Sequence, residues 1–375
     1  MGDDNSENLE SLKKILRDKG KILVFVGAGA SIPLRIKGWH EILEEMEEEF
    51  TGEKGNLDEY LRLYGYAGTA SKFYNAKDDQ DFYRNFLFRQ FTHTEGYFYS
   101  LQVAILNLFD TVLTTNYDTS FEEAKESLND NLEHSGHPRL NYETQCLPRF
   151  SSSDLLLSPH IVYLHGNTDK KKYCFRKEEY KFYYPSVFEN KKTSELEEFL
   201  REVIREFTVI FIGFSFNDAI FVEFFQNTIR EYIERKIDFK TIHGEDDPRE
   251  LPFKFVFHKN VVVQRSRMEK MVNDDSWKGL FVEPDENQLI FKTDADVISI
   301  VNGLKIDTSS KNEILKLYFK FKENIKDKDR LKDDLDLKII GVNEYNEIEL
   351  LLKDIRKGLI RPTMLEDTEG AANAD

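Results

Sequence analysis

The stretch Lys21–Ser31, KILVFVGAGAS, constrains this chain more than any other. Its first part is a run of apolar, β-branched and aromatic residues with no polar alternation. A strand that is buried on both faces has that composition, and such strands occur in parallel sheets covered by helices. The run then breaks into Gly-Ala-Gly-Ala-Ser. Gly27 and Gly29 permit a tight turn and a close approach of the backbone to a ligand. Small residues there are expected to leave amide N–H groups free for a phosphate or pyrophosphate. The turn is half of a dinucleotide-binding fingerprint, since the third glycine of G-x-G-x-x-G is replaced by Ile32. Taken alone, it reads equally well as a plain glycine turn after a buried strand.

Later apolar runs end in the same way. Thr111–Thr115 reads as a strand that delivers Asn116, Tyr117 and Asp118. Polar side chains just past the C-terminal end of a buried strand are where open α/β sheets place ligand chemistry. Asn116 and Asp118 would alternatively cap a helix starting near Thr119. Ile161–Leu164 is a third strand, followed by His165-Gly166-Asn167. A histidine before a glycine at a strand end is expected to face a cleft, which makes His165 an acid/base candidate. Val209–Gly213 is a fourth, followed by Phe214, Ser215, Phe216, Asn217 and Asp218.

Helical periodicity fills the intervals. It predicts helices over 8–19, 40–50, 195–207 and 219–235, and a final strand and helix at 336–342 and 347–356. A fifth strand region is expected at 253–263. The predicted fold is α/β, a doubly wound, mostly parallel, Rossmann-like sheet. Residues 8–361 form the domain. Within it, 42–107 is rich in Tyr and Phe and reads as a helical accessory module. Residues 265–334 read as a C-terminal insertion or small lobe, with strands near 280–282 and 289–291. Residues 129–159 read as an irregular connection, and 362–375 as a disordered acidic tail.

Composition narrows the function classes. With 69 acidic against 52 basic residues among 375, the net charge is −17, which argues against broad binding to a nucleic-acid backbone. No apolar run approaches the roughly 18 residues of a membrane helix, and the polar N-terminus carries no signal-peptide pattern. Two cysteines, Cys146 and Cys174, make no disulfide framework and fit a reducing cytoplasm. A zinc site from these two with His134 and His137 is conceivable, but their spacing has no Cys-x-x-Cys pair. The 30 Phe and 17 Tyr exceed what a minimal core needs, so some are expected at contacts between copies of the chain.

The series GAGAS, TTNYD, LHG and GFS, each at the end of an apolar run, resembles the sirtuin superfamily, in particular the bacterial sirtuin-like proteins of anti-phage defence. The resemblance covers about residues 20–235 through these motifs. It implies that Gly27, Ala28, Gly29 and Ser31 hold the NAD+ pyrophosphate. It likewise implies that Asn116 lies beside the nicotinamide ribose, Asp118 near the carboxamide, and that His165 is the catalytic histidine. Gly213 and Ser215 would form the turn at the adenosine side, and Asp218 fits the Gly-Phe-Ser-x-x-Asp form of the defence-type relatives.

Two departures bear on activity. Deacylase sirtuins carry a zinc module of two Cys pairs, which two cysteines cannot supply, so no structural zinc is expected. They also follow the glycine turn with Gly-Ile-Pro-x-Phe-Arg, where this chain has Ile36-Lys37-Gly38-Trp39. The resemblance therefore implies an NAD+ glycohydrolase that depletes NAD+ during phage infection. The alternatives are a non-catalytic NAD or ADP-ribose sensor, and an NAD-dependent deacylase or ADP-ribosyl transferase. Relatives of this size work with a separate HerA-like ATPase, and the absence of G-x-x-x-x-G-K-[ST] here places any ATPase on another chain.

Overall fold

The computed structural model describes residues 2–18, 21–92, 99–188, 192–214, 216, 218–243, 254–259, 281–285, 288–291, 338–342 and 345–359. Seven strands form one sheet. They are β1 (Ile22–Val26), β2 (Thr111–Thr114), β3 (Glu143–Cys146), β4 (His160–Tyr163), β5 (Thr208–Ile212), β6 (Lys254–Lys259) and, last in the chain, β9 (Lys338–Val342). Their order is β3-β4-β2-β1-β5-β6-β9, and every neighbouring pair is parallel. The expected doubly wound α/β fold is the observed one. A separate antiparallel pair, β7 (Phe281–Asp285) with β8 (Gln288–Phe291), falls inside the expected insertion. The rest of that insertion and the expected tail lie outside the described residues.

The central strands explain why the sheet is covered on both sides. Leu23, Phe25, Leu113, Val162, Val209 and Phe211 point to one face, where they meet helices α7 (Lys177–Tyr183), α8 (Glu195–Glu206) and α9 (Ala219–His243). Val24, Val26, Val112, Ile161, Tyr163, Ile210 and Ile212 point to the other. There they meet α1 (Gly2–Arg17), α5 (Ser100–Leu106), α6 (Ser120–His134) and the final helix α10 (Tyr345–Leu359). Burying one such side chain contributes about 1.5–3 kcal/mol, so strict two-sided burial makes these strands the most strongly specified part of the chain.

Helices α2 (Trp39–Thr51), α3 (Leu57–Lys77) and α4 (Gln80–Phe91) build a third core of their own, around Ile42, Leu43, Met46, Phe73 and Phe86. It rests on Tyr117, Tyr173 and Phe175 from the loops beyond β2 and β4. Trp39 seals the junction by stacking on Phe175 at 4.0 Å. Helix α5, grouped with these helices in the sequence reading, packs with α6 on the sheet face of Val24 and Val26.

Two segments differ from expectation. The connection 129–159 contains β3, a strand of sequence ETQC at the edge of the sheet. Its pairing with β4 rests on backbone hydrogen bonds, so no apolar run announces it. Helix α7 was also unassigned, and it proves central to the site.

Candidate functional site

Strand register brings the four motifs together. Tyr163, Thr114, Val26 and Ile212 are paired partners across β4, β2, β1 and β5, and therefore lie in one row. His165, Asn116 and Ala28 each lie two residues past this row, and Gly213 one residue past. Neighbouring strands are about 4.8 Å apart, so all four emerge side by side at the C-terminal edge. Chain order reverses at β1, with β2 on one side and β5 on the other, which is where sheets of this kind bind ligands.

A buried network of hydrogen bonds fixes the β1 and β2 ends. Asn116 Nδ2 donates to Gly27 O at 3.1 Å and to Ser31 Oγ at 2.9 Å. Ser31 Oγ donates in turn to Asp118 Oδ2 at 2.9 Å. Asp118 Oδ1 accepts the Ser120 amide at the start of α6, whereas Asn116 reaches across to the neighbouring turn. Gln102 Nε2 of α5 holds Ala30 O at 3.0 Å. Asn116, Asp118 and Ser31 are all buried. With Nδ2 committed to a carbonyl, the orientation of the amide is set, and Asn116 Oδ1 is left buried with no partner. An orphaned buried acceptor is costly and calls for an explanation; a hydroxyl or water brought by a ligand would supply it.

The glycine turn corrects the sequence reading. The amides of Gly27, Gly29, Ala30 and Ser31 bond to Ile212 O, Gly213 O, Gly27 O and Ala28 O, respectively. Among the described residues, only the exposed Ala28 leaves its amide in this turn without a partner. A Cβ on Gly27 or on Gly29 would fall 2.7 Å from Gly213 O. Glycine is required there because the β1 and β5 loops clasp each other, and no ligand need be invoked. Ser215 lies outside the described residues.

His165 also differs from expectation: it is buried, at 2% exposure. The reason lies in Tyr180 of α7 and in Tyr184, the C-cap of that helix, which close over it. His165 Nε2 is 2.8 Å from Tyr184 Oη, and its ring meets Tyr180 and Tyr184 edge-on. Tyr180 Oη donates to Asp218 Oδ2 at 2.7 Å, while Asp218 Oδ1 accepts the amides of Ile220 and Phe221 and so caps α9. Burial raises the pKa of the Asp218 carboxyl against the pull of these donors. Sequence reading missed both tyrosines; their i, i+4 spacing in KEEYKFYY was the available signal.

Burial also lowers the pKa of His165 from its ordinary 6.5 to about 3. The unfolded chain takes up this proton near pH 6.5, while the folded chain resists it. The contribution of His165 to stability is therefore full above pH 6.5 and declines as pH falls toward 3. The urea midpoint of the wild type is expected to fall more steeply from pH 7 to 4.5 than that of His165→Gln. Parallel curves would mean that His165 charges freely in the folded protein.

Residues 110–254 match the model of the SIR2-like domain. This stretch runs from β2 to the start of β6 and contains Asn116, Asp118, His165, Tyr180, Tyr184, Gly213 and Asp218; the Gly27–Ser31 turn precedes it. The match supports a sirtuin-like family member, and SIR2-like domains bind NAD+ and are generally NAD-utilising enzymes. No curated protein matches the sequence.

His134, His137, Cys146 and Cys174 do not gather: among the described residues no three His, Cys, Asp or Glu side chains are placed to hold a metal ion. No described helix is long and apolar enough to cross a membrane. An open groove of about 650 Å³ runs beside α6, lined by Glu122, Glu123, Glu126, Asp130 and Asp169 among others. Its acidity is unsuited to a pyrophosphate.

Proposed function

We propose that this protein is an NAD+ glycohydrolase that releases nicotinamide and ADP-ribose. The observation that carries this reading is the Asn116 carboxamide, pinned by Gly27 O and Ser31 Oγ with its Oδ1 buried and unpartnered. Such an atom, in a row shared with His165 and the exposed Ala28 amide and within a SIR2-like stretch, fits a ligand rich in hydroxyl groups.

The chemistry asks little of the protein beyond placement. The bond from ribose C1′ to the pyridinium nitrogen breaks, and its electron pair neutralises the ring, so the departing nicotinamide needs no acid. Positive charge develops on the ribose and is favoured by preorganised dipoles. Water adds to C1′ and loses a proton to solvent. Asn116 Oδ1 accepts from the attacking water or from a ribose hydroxyl and so orients the reacting centre. His165 makes a second hydrogen bond to the ribose. Hydrolysis is favoured over deacylation by the two-cysteine composition and the missing Phe-Arg segment.

The reading extends to the cell through the resemblance of the four motifs to defence-type relatives: NAD+ depletion in the cytoplasm during phage infection, by a homo-oligomer acting with a HerA-like ATPase. The test is NAD+ consumption by purified protein, with and without the products of neighbouring genes, quantifying nicotinamide and ADP-ribose. Equimolar release of both, nearly abolished in His165→Ala, is the expected result. NAD+ binding with no turnover under any partner condition would replace the hydrolase with a sensor.

A further inference from the structure

We propose that Tyr184 is a positioning residue that holds His165 in the tautomer carrying its proton on Nδ1, so that His165 meets the ribose as a hydrogen-bond donor and not as a proton acceptor. The catalytic half of this inference rests on the NAD+-cleaving reading; the tautomer does not.

The argument is one of accounting for a single proton. Tyr184 is fully buried, and burial holds its hydroxyl well above the usual tyrosine range, so it keeps its proton. That proton needs an acceptor, since an unpaired buried hydroxyl is costly. The titratable groups around Tyr184 are Cys174, Asp218 and Glu197. Asp218 is taken by Tyr180 and by the amides of α9. Glu197 accepts from Ser186 and from the Ser194 amide. Cys174 is likewise a buried thiol whose burial keeps it protonated. The acceptor that remains among the described residues is His165 Nε2, at 2.8 Å.

If Nε2 accepts, the neutral imidazole carries its hydrogen on Nδ1. Nδ1 has no hydrogen-bond partner among the described residues, so it is the nitrogen left for a ligand. Rotation of the ring is opposed by Tyr180, edge-on at 5.4 Å, and by Tyr184 itself, edge-on at 5.7 Å. The two tyrosines are in turn stacked at 5.8 Å and joined by the bond from Tyr184 N to Tyr180 O. Tyr180 of α7 thus ties the histidine loop to the α9 cap, and the hydroxyl of Tyr184, which caps the C-terminus of α7, sets which nitrogen of the imidazole donates.

The test is nitrogen NMR of protein labelled with ¹⁵N-histidine, at pH 7 and without ligand, with the His165 signals assigned by their loss in His165→Gln. The expected spectrum has a pyridine-type Nε2 and a pyrrole-type Nδ1. The reverse pattern, or an imidazolium, would overturn the proposal whatever the protein does to NAD+. In Tyr184→Phe the pattern is expected to become a mixture of tautomers. With turnover measured beside it, kcat is expected to fall about 10–100-fold with little change in KM, the range seen when the partner fixing a metal-bound histidine's tautomer is lost. His165→Gln, which keeps an N–H donor but offers no base, is expected to retain more turnover than His165→Ala; equal loss in both would refute the donor role. Wild-type protein with the expected tautomer and no turnover would leave the Tyr184–His165 assignment standing and remove the hydrolase reading alone.

Discussion

Asn116→Ala is expected to lower NAD+ turnover by about 10²–10³-fold, the usual loss when one preorganised hydrogen-bonding group is removed from a reacting centre, while leaving stability almost unchanged. The second half is the unusual part. Truncation removes two buried hydrogen bonds, to Gly27 O and Ser31 Oγ, each contributing about 0.5–1.5 kcal/mol. It also removes the unpartnered Oδ1, whose burial costs about 1–3 kcal/mol in the free protein. The two terms are of similar size and opposite sign. Gly27 O keeps the Ala30 amide, and Ser31 keeps Asp118, so neither is orphaned. An unfolding free energy within about 1 kcal/mol of wild type, paired with lost turnover, is the signature of a residue kept for its ligand. Unaltered turnover in a folded variant would sink the assigned role, and a large stability loss with normal turnover would make Asn116 a structural strut.

A large loss of stability is expected in Gly213→Ala, about 2–4 kcal/mol. Two causes add. Its φ of +64° lies in the left-handed region, and a Cβ would stand 2.4 Å from Ala30 N and 2.9 Å from Gly29 C. Those atoms are backbone of the glycine turn and cannot rotate aside. The β1 and β5 loops would have to part, breaking the bond from Gly29 N to Gly213 O. Gly52 separates the causes: its φ is +74° at the end of α2, but a Cβ there meets nothing within 4 Å. Gly52→Ala should therefore cost only the roughly 1–2 kcal/mol of left-handed strain. Equal losses in the two variants, measured by urea unfolding, would show that the clasp yields easily and that its glycines are not required by packing.

The fold was legible wherever local pattern carries the information. The run Ile22–Val26 announced a strand buried on both faces, because both neighbours and both layers are apolar. The same holds for Val209–Ile212 and for the polar residues that follow each strand. Edge strand β3 was not legible, because Glu143, Thr144 and Gln145 are held by backbone pairing to β4, which has no side-chain signature. The exposure of His165 was misread for a related reason: the sequence shows a histidine before a glycine, and nothing local shows that Tyr180 and Tyr184 fold back over it.

What the sequence by itself determined is the order of the elements with apolar periodicity, the parallel sheet and the four strand ends at which polar residues emerge. These follow from periodicity and from glycine, which act over a few residues. What only the tertiary structure decided is how those ends are used. It decided that Gly27 and Gly29 accommodate Gly213, that Asn116 spans two strands and keeps one oxygen unpaired, and that His165 is enclosed by a helix beginning twelve residues later. Each of these depends on contacts between segments far apart in the chain. Burial and the pairing of individual protons are properties of the packed molecule, and no stretch of sequence carries them alone.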